Sequence, residues 1–218
     1  HLVYHGLDLS RFKPLVVPRP ERRGETPETA VRLLTVARAV EKKGLDTVVE
    51  ALGKLPPGLF WTWTHIGGGD LIARLKARVA ALGIEDRCRF LGARPQEDVI
   101  AAYGTSEIFV LPCRVADDGD RDGMPNVLME AGSQGLVLVS TAVSGVVELI
   151  EDGVTGLLTE PDDAQALAAL IQRLAGDPGE RYRLGKKASE TIFRMFDHAT
   201  AVQDLIALFP AELRSGRP

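Results

Sequence analysis

The stretch Asp122-Gly123-Met124-Pro125-Asn126-Val127-Leu128-Met129-Glu130-Ala131 decides how the rest of the chain is read. It opens on an acidic residue and a glycine turn. Pro125 suits the first position of a helix, where its missing N–H costs little and its fixed φ is already helical. Asn126 and Glu130 are four apart and therefore share a helix face. The N–H groups of Gly123, Met124 and Asn126 fall at the helix start, which attracts anions through unpaired donors and the helix dipole. A carboxylate at each end of such a site is ill suited to a bare phosphate. It suits a ligand with phosphate in the middle and hydroxyl-rich groups at both ends, and a nucleotide sugar is such a ligand.

Working outward, apolar runs alternate with stretches of helical period. Residues 31–36 read as a buried parallel strand, and Leu45, Val48, Val49 and Leu52 recur at helical spacing over 45–55. A second strand spans 59–66 with Trp61 and Trp63 on one face, read as core, and a glycine turn at 67–69 precedes a helix over 71–82. Strand 87–91, helix 96–103, strand 107–112, strand 136–140, a short helix in 144–150 and strand 156–158 follow. Outer helices are expected over 162–175 and 177–195, and Asp197 is the expected N-cap of a last helix over 199–208. The prediction is α/β: a Rossmann-like three-layer αβα domain with a six-stranded parallel sheet, occupying 1–218 as a single unit. Residues 1–4 read as a short strand. Residues 13–30, rich in proline and charge, read as an exposed loop in which Arg19, Arg22 and Arg23 are solvated.

Sheets of this kind bind ligands at the carboxyl ends of their strands, where Arg38, Lys43, Gly67, Arg94 and Asp122 all fall. Arg38 and Lys43 follow the first long strand and can hold a diphosphate, one as a planar fork and the other as a point charge. Gly67 reads as a tight turn beside that diphosphate. The acidic loop 113–122 reads as a flap over the donor, with Asp117, Asp118 and Asp120 solvated.

The net charge of −4 gives no electrostatic case for nucleic acid. No apolar run approaches a membrane span in length. Cys88 and Cys113 have no metal-ligand spacing and read as buried free thiols, and His1, His5, His65 and His198 are too scattered for a zinc site.

The stretch 122–131 resembles the acidic-x7-Glu motif of retaining, nucleotide-sugar-dependent glycosyltransferases of family 4, and the segments 135–141 and 144–150 continue the resemblance. These enzymes have the GT-B architecture of two Rossmann-like domains. The resemblance covers nearly the whole chain, and only the C-terminal, donor-binding half of such an enzyme. The segment 5–12, His-Gly-Leu-Asp-Leu-Ser-Arg-Phe, is similar to the passage by which these enzymes enter that half, which implies a preceding acceptor-binding domain.

The resemblance implies that Arg38 and Lys43 meet the donor diphosphate and that Asp122 meets the sugar hydroxyls. It also implies that Glu130 takes the ribose hydroxyls, that Gly123, Met124, Asn126 and Val127 line the donor site, and that Arg94 meets the base. The motif's first acid is more often Glu, so Asp122 sets its carboxylate on a shorter arm, and Ser144 replaces the first glycine of a Gly-Gly-x-x-Glu segment ending at Glu148.

The implied reaction moves a hexosyl group from a UDP-, GDP- or ADP-sugar to a glycan or lipid-linked acceptor. No metal or other cofactor is expected. A cytoplasmic location is expected from the lack of an export signal in the sequence and from the need for nucleotide sugars, with peripheral membrane contact assigned to the rest of the enzyme, and the isolated chain is expected to be inactive. Two alternatives stay open: a GT-B relative such as an epimerase, synthase or phosphorylase, and a non-catalytic nucleotide-binding module.

Overall fold

The computed structural model describes residues 6–12 and 19–209. The expected strand over 1–4 and the part of the expected loop over 13–18 lie outside the described residues. Six parallel strands form one sheet: β1 (Val31–Val36), β2 (Trp61–Ile66), β3 (Cys88–Phe90), β4 (Ile108–Leu111), β5 (Val137–Thr141) and β6 (Leu157–Thr159). Their order across the sheet is β3-β2-β1-β4-β5-β6, the expected Rossmann order. The helices are α1 (Leu45–Gly53), α2 (Ile72–Ala81), α3 (Gln96–Thr105), α4 (Asn126–Ser133), α5 (Val146–Leu149), α6 (Ala164–Gly176), α7 (Pro178–Met195) and α8 (His198–Ala207).

The central strands β4 and β5 are buried along their whole length because helices cover both faces of the sheet. Leu33, Trp61, Trp63, Ile108, Val110, Val137 and Val139 pack on one face beneath α1, α2 and α6. Leu34, Ile66, Phe109, Leu111 and Leu138 pack on the other beneath α3, α4, α5 and α7. Both tryptophans are core, as expected, and the one polar atom of Trp63 is satisfied by a bond from Nε1 to Thr35 Oγ1 at 3.0 Å. A fully buried side chain of this size contributes about 1.5–3 kcal/mol.

Arg19 and Arg22 correct the reading of 13–30 as a solvated loop. The Arg19 guanidinium donates to the carbonyls of Tyr103, Ser106 and Gln134. Those carbonyls lie at the ends of α3 and α4, where the last turn of a helix leaves its acceptors without intrahelical donors. Arg181 does the same for Leu174 and Ala175 at the end of α6, and ties in the Arg22 carbonyl. Arg22 also pairs with the buried Glu107 at 3.5 Å. Only Arg23 stays exposed.

Pro125 is a second correction. With φ −66° and ψ 116° it is the N-cap, and the helix starts at Asn126. The thiols also divide: Cys113 is buried, two residues beyond β4, whereas Cys88 in β3 is half-buried. Asp197 caps α8 as expected, accepting from Thr200 N. The lead-in segment pairs with the start of that helix through Leu7 N to Phe196 O at 2.7 Å and His198 N to Leu7 O at 3.1 Å. The far end of α8 leaves Val202, Leu205, Ile206, Leu208 and Phe209 exposed. Among the described residues no helix is long and apolar enough to cross a membrane.

Candidate functional site

The strand order reverses between β1 and β4, and a crevice at such a point is where open α/β sheets bind ligands. The loop leaving β1 carries Arg38 and then a 3-10 turn, Glu41–Lys43. Gly44 closes that turn at φ 61°, and a Cβ there would overlap the Pro112 carbonyl at the exit of β4. Only glycine lets the two loops approach so closely. Gly67 makes a similar approach, with φ 142° and no room for a Cβ beside the Ala37 carbonyl. Its N–H donates to Gly92 O at 2.9 Å, which links the exits of β2 and β3. His65, read in the sequence only as one of four scattered histidines, donates from Nε2 to Ala37 O at 2.9 Å and so fixes the exit of β1. Burial lowers the pKa of this imidazole, against the opposing pull of its bond to the Ala37 carbonyl.

Between the loops that follow β1 and β4, the Lys43 ammonium meets Asp122 Oδ2 at 2.6 Å, and Lys42 stands 3.6 Å from Asp122 Oδ1. The side chains of Lys43 and Asp122 are only 13% and 17% exposed, so solvent screens the pair weakly. Lys42 also holds Asp120 at 2.9 Å. Hydrogen bonding to Asp120 keeps the Lys42 ammonium above its ordinary range, and the same bond holds the Asp120 carboxyl below its own. Asp120 is exposed, as expected, and is in addition paired with Lys42. Asp117 and Asp118 are exposed, as expected.

Arg114, also passed over in the sequence, grips Asp46 at 2.9 Å and Asp162 at 2.5 Å, while its N–H donates to Lys42 O at 2.9 Å. The acidic loop after β4 is thus stapled to the start of α1 at one end and to the two lysines at the other. Arg38 is exposed and faces Asp120 electrostatically. Arg94 stands apart from this cluster, exposed, with its Nε on Leu91 O at 3.1 Å.

From Asp122 the chain turns through Gly123 and Met124 into α4, whose start has no side-chain cap. Asn126 and Val127 form its first turn. The Gly123 carbonyl accepts from Gly145 N at 2.9 Å, an approach that a Cβ on Gly145 would obstruct. Ser144 adopts φ 47°, a left-handed conformation that explains why a glycine suits this position. Glu148 is exposed.

One turn into α4, Glu130 lies half-buried and accepts the Tyr103 hydroxyl on Oε2 at 2.9 Å. Burial raises its carboxyl above the usual range, against the opposing pull of Tyr103 and of Arg11. Neither Tyr103 nor Arg11 was singled out from the sequence. The signal in the sequence was faint, because a tyrosine near the end of a helix most often reads as core.

The site thus offers two lysines and an uncapped helix start between two carboxylates, on the rim where the strand order reverses. With this geometry the relatives can be compared. The family model for glycosyl transferases group 1 matches residues 19–191. The chain belongs to this family. The amylovoran biosynthesis glycosyltransferase AmsK of Erwinia amylovora is 45% identical to it over 146 residues, which are 66% of this chain and 36% of the relative. The putative colanic acid biosynthesis glycosyltransferase WcaL of Escherichia coli K12 is 34% identical over 211 residues, 94% of this chain and 50% of the relative. The chain therefore spans half or less of the length of these curated relatives.

Among solved structures, Anabaena Alr3699/HepE in complex with UDP-glucose aligns with a TM-score of 0.79 at 24% identity, over 94% of this chain and 56% of that one. That likeness is one of fold. Family and fold together are those of the C-terminal domain of a GT-B glycosyltransferase, and the relatives belong to polysaccharide and lipopolysaccharide biosynthesis.

Proposed function

We propose that residues 1–218 form a single donor-binding domain of a retaining, family 4 type glycosyltransferase. The whole enzyme would move a hexosyl group from a nucleoside-diphosphate sugar to a glycan or lipid-linked acceptor that a separate domain holds. The observation that carries this reading is the pairing of Lys43 with Asp122 between the loops that follow β1 and β4, with the start of α4 and Glu130 following on the same rim. The relative of known structure that binds UDP-glucose supports a nucleotide sugar as the ligand.

In this reading the hard event is departure of the diphosphate. Lys43, Arg38 and the N–H groups of Gly123, Met124, Asn126 and Val127 stabilise the charge that grows on it. Asp122 takes sugar hydroxyls, and Glu130 takes the ribose hydroxyls, as acidic residues do in dinucleotide sites. Gly67 keeps the β2 exit close to the diphosphate, and Arg94 reaches the base from the rim. A diphosphate entering the crevice must displace Asp122 from Lys43, so donor binding exchanges one anion for another on the same cation. The cations of the chain neutralise the leaving group in this reading. Peripheral membrane contact by the complete enzyme fits a lipid-linked acceptor.

Calorimetry with UDP, GDP and ADP, each with and without an attached hexose, tests the reading. One base should bind selectively, and Lys43→Ala should abolish that binding. Equal heats for wild type and Lys43→Ala would defeat the assignment.

A further inference from the structure

Tyr103 is buried in the core, yet its hydroxyl ends on a carboxylate of the candidate site. Three contacts fix it. Its ring packs against Phe109 at 5.9 Å between centroids, its carbonyl is gripped by Arg19 at 2.9 Å, and its hydroxyl meets Glu130 Oε2 at 2.9 Å. Glu130 hangs on a flexible stem from α4, whereas Tyr103 is a rigid strut from α3.

A carboxylate has about four acceptor positions. The tyrosine takes one on Oε2, which leaves Oε1 and the second lone pair of Oε2 for a pair of hydroxyls. A side chain locked by a rigid neighbour loses little entropy when a ligand docks on it. The pair is also a poor way to stabilise a core. Burial disfavours ionisation of both the carboxyl and the phenol, and a carbonyl would satisfy the hydroxyl more cheaply. A costly pair kept at the rim of a binding crevice points to use in binding.

We propose that Tyr103 is a positioning residue for the donor: by holding Glu130 Oε2 it aims the carboxylate at the vicinal hydroxyls of the nucleotide ribose, and so sets the preference of the site for ribonucleotides. The inference rests on the donor-site reading and deepens it.

The test compares a nucleoside diphosphate with its 2′,3′-dideoxy form by calorimetry on wild type, Tyr103→Phe, Glu130→Gln and the double variant. Wild type should favour the ribonucleotide clearly. Tyr103→Phe should weaken the ribonucleotide about tenfold and leave the dideoxy form unchanged, since a lost bond to a charged acceptor costs about that much. The double variant should be no weaker than Glu130→Gln alone. If Tyr103→Phe weakens both nucleotides equally, or neither, the proposal is overturned while the donor site stands. If wild type binds no nucleotide or cannot tell the two forms apart, or if Glu130→Gln keeps full discrimination, the donor-site reading itself fails.

Discussion

Replacing Asp122 by Asn should tighten the binding of a bare nucleoside diphosphate. Lys43 Nζ and Asp122 Oδ2 are 2.6 Å apart, and both side chains are largely shielded from water. Coulomb attraction at that distance is about 6 kcal/mol with an effective dielectric constant of ~20, before desolvation offsets most of it. Exposed pairs are worth ~0–1 kcal/mol, and breaking a fully buried pair costs ~3–5 kcal/mol.

Lys42 stays at 3.6 Å from Asp122 as a second partner, which places the net value of the Lys43 contact at about 1–2 kcal/mol. A diphosphate must forgo that contact in order to take the cation. Asp122→Asn removes the competition, so affinity for the diphosphate should rise roughly 5- to 30-fold. The nucleotide sugar should gain less, because the carboxylate also meets the sugar. The free variant should melt roughly 3–6 °C lower, as two lysines lose their shared anion. Calorimetry on both ligands, with a thermal melt of the apo chain, reads all three effects. Unchanged or weaker diphosphate binding in Asp122→Asn would refute the idea that anion exchange on Lys43 governs binding.

Three further outcomes follow from the same geometry. Burial raises the Glu130 carboxyl pKa in the folded chain, so the folded state holds its proton more tightly than the unfolded one. Stability from this group is therefore fully present below the ordinary glutamate range and is lost as pH rises through the raised value; Glu130→Gln should raise the melting temperature at pH 7 by about 2 °C, with the gain vanishing near pH 4 in a pH series of melts. Gly67→Ala forces a Cβ onto the Ala37 carbonyl at φ 142° and should cost about 2–4 kcal/mol in a urea titration, with nucleotide binding lost in parallel. Arg19→Ala strips the donor from three helix-end carbonyls and should cost about 2–3 kcal/mol in the same titration, where a change under 0.5 kcal/mol would show that water replaces the guanidinium.

The fold was legible because parallel sheets covered on both faces leave unmistakable apolar runs. The sheet order follows from strand–helix alternation together with the right-handed crossover rule. Arg38, Lys43 and Asp122 lie in loops that follow strands, a placement that local pattern fixes, whereas Glu130, one turn into α4, is named only through the resemblance of the stretch 122–131 to the acidic-x7-Glu motif.

What the sequence could not supply is what sits opposite what. Arg19 reads as solvated because it lies in a charged, proline-rich stretch, and only the meeting of two helix ends creates the carbonyls that bind it. Nothing in the sequence singles out Tyr103, and its hydroxyl acquires meaning only when α3 and α4 pack so that it reaches Glu130, 27 positions away. The staple made by Arg114 joins residues 68 and 48 positions distant. Local sequence determined the elements and the chemistry available at their ends, since propensity and periodicity act within a few turns. Tertiary structure alone decided the pairings between them, because those contacts depend on how close-packed layers bring distant side chains together.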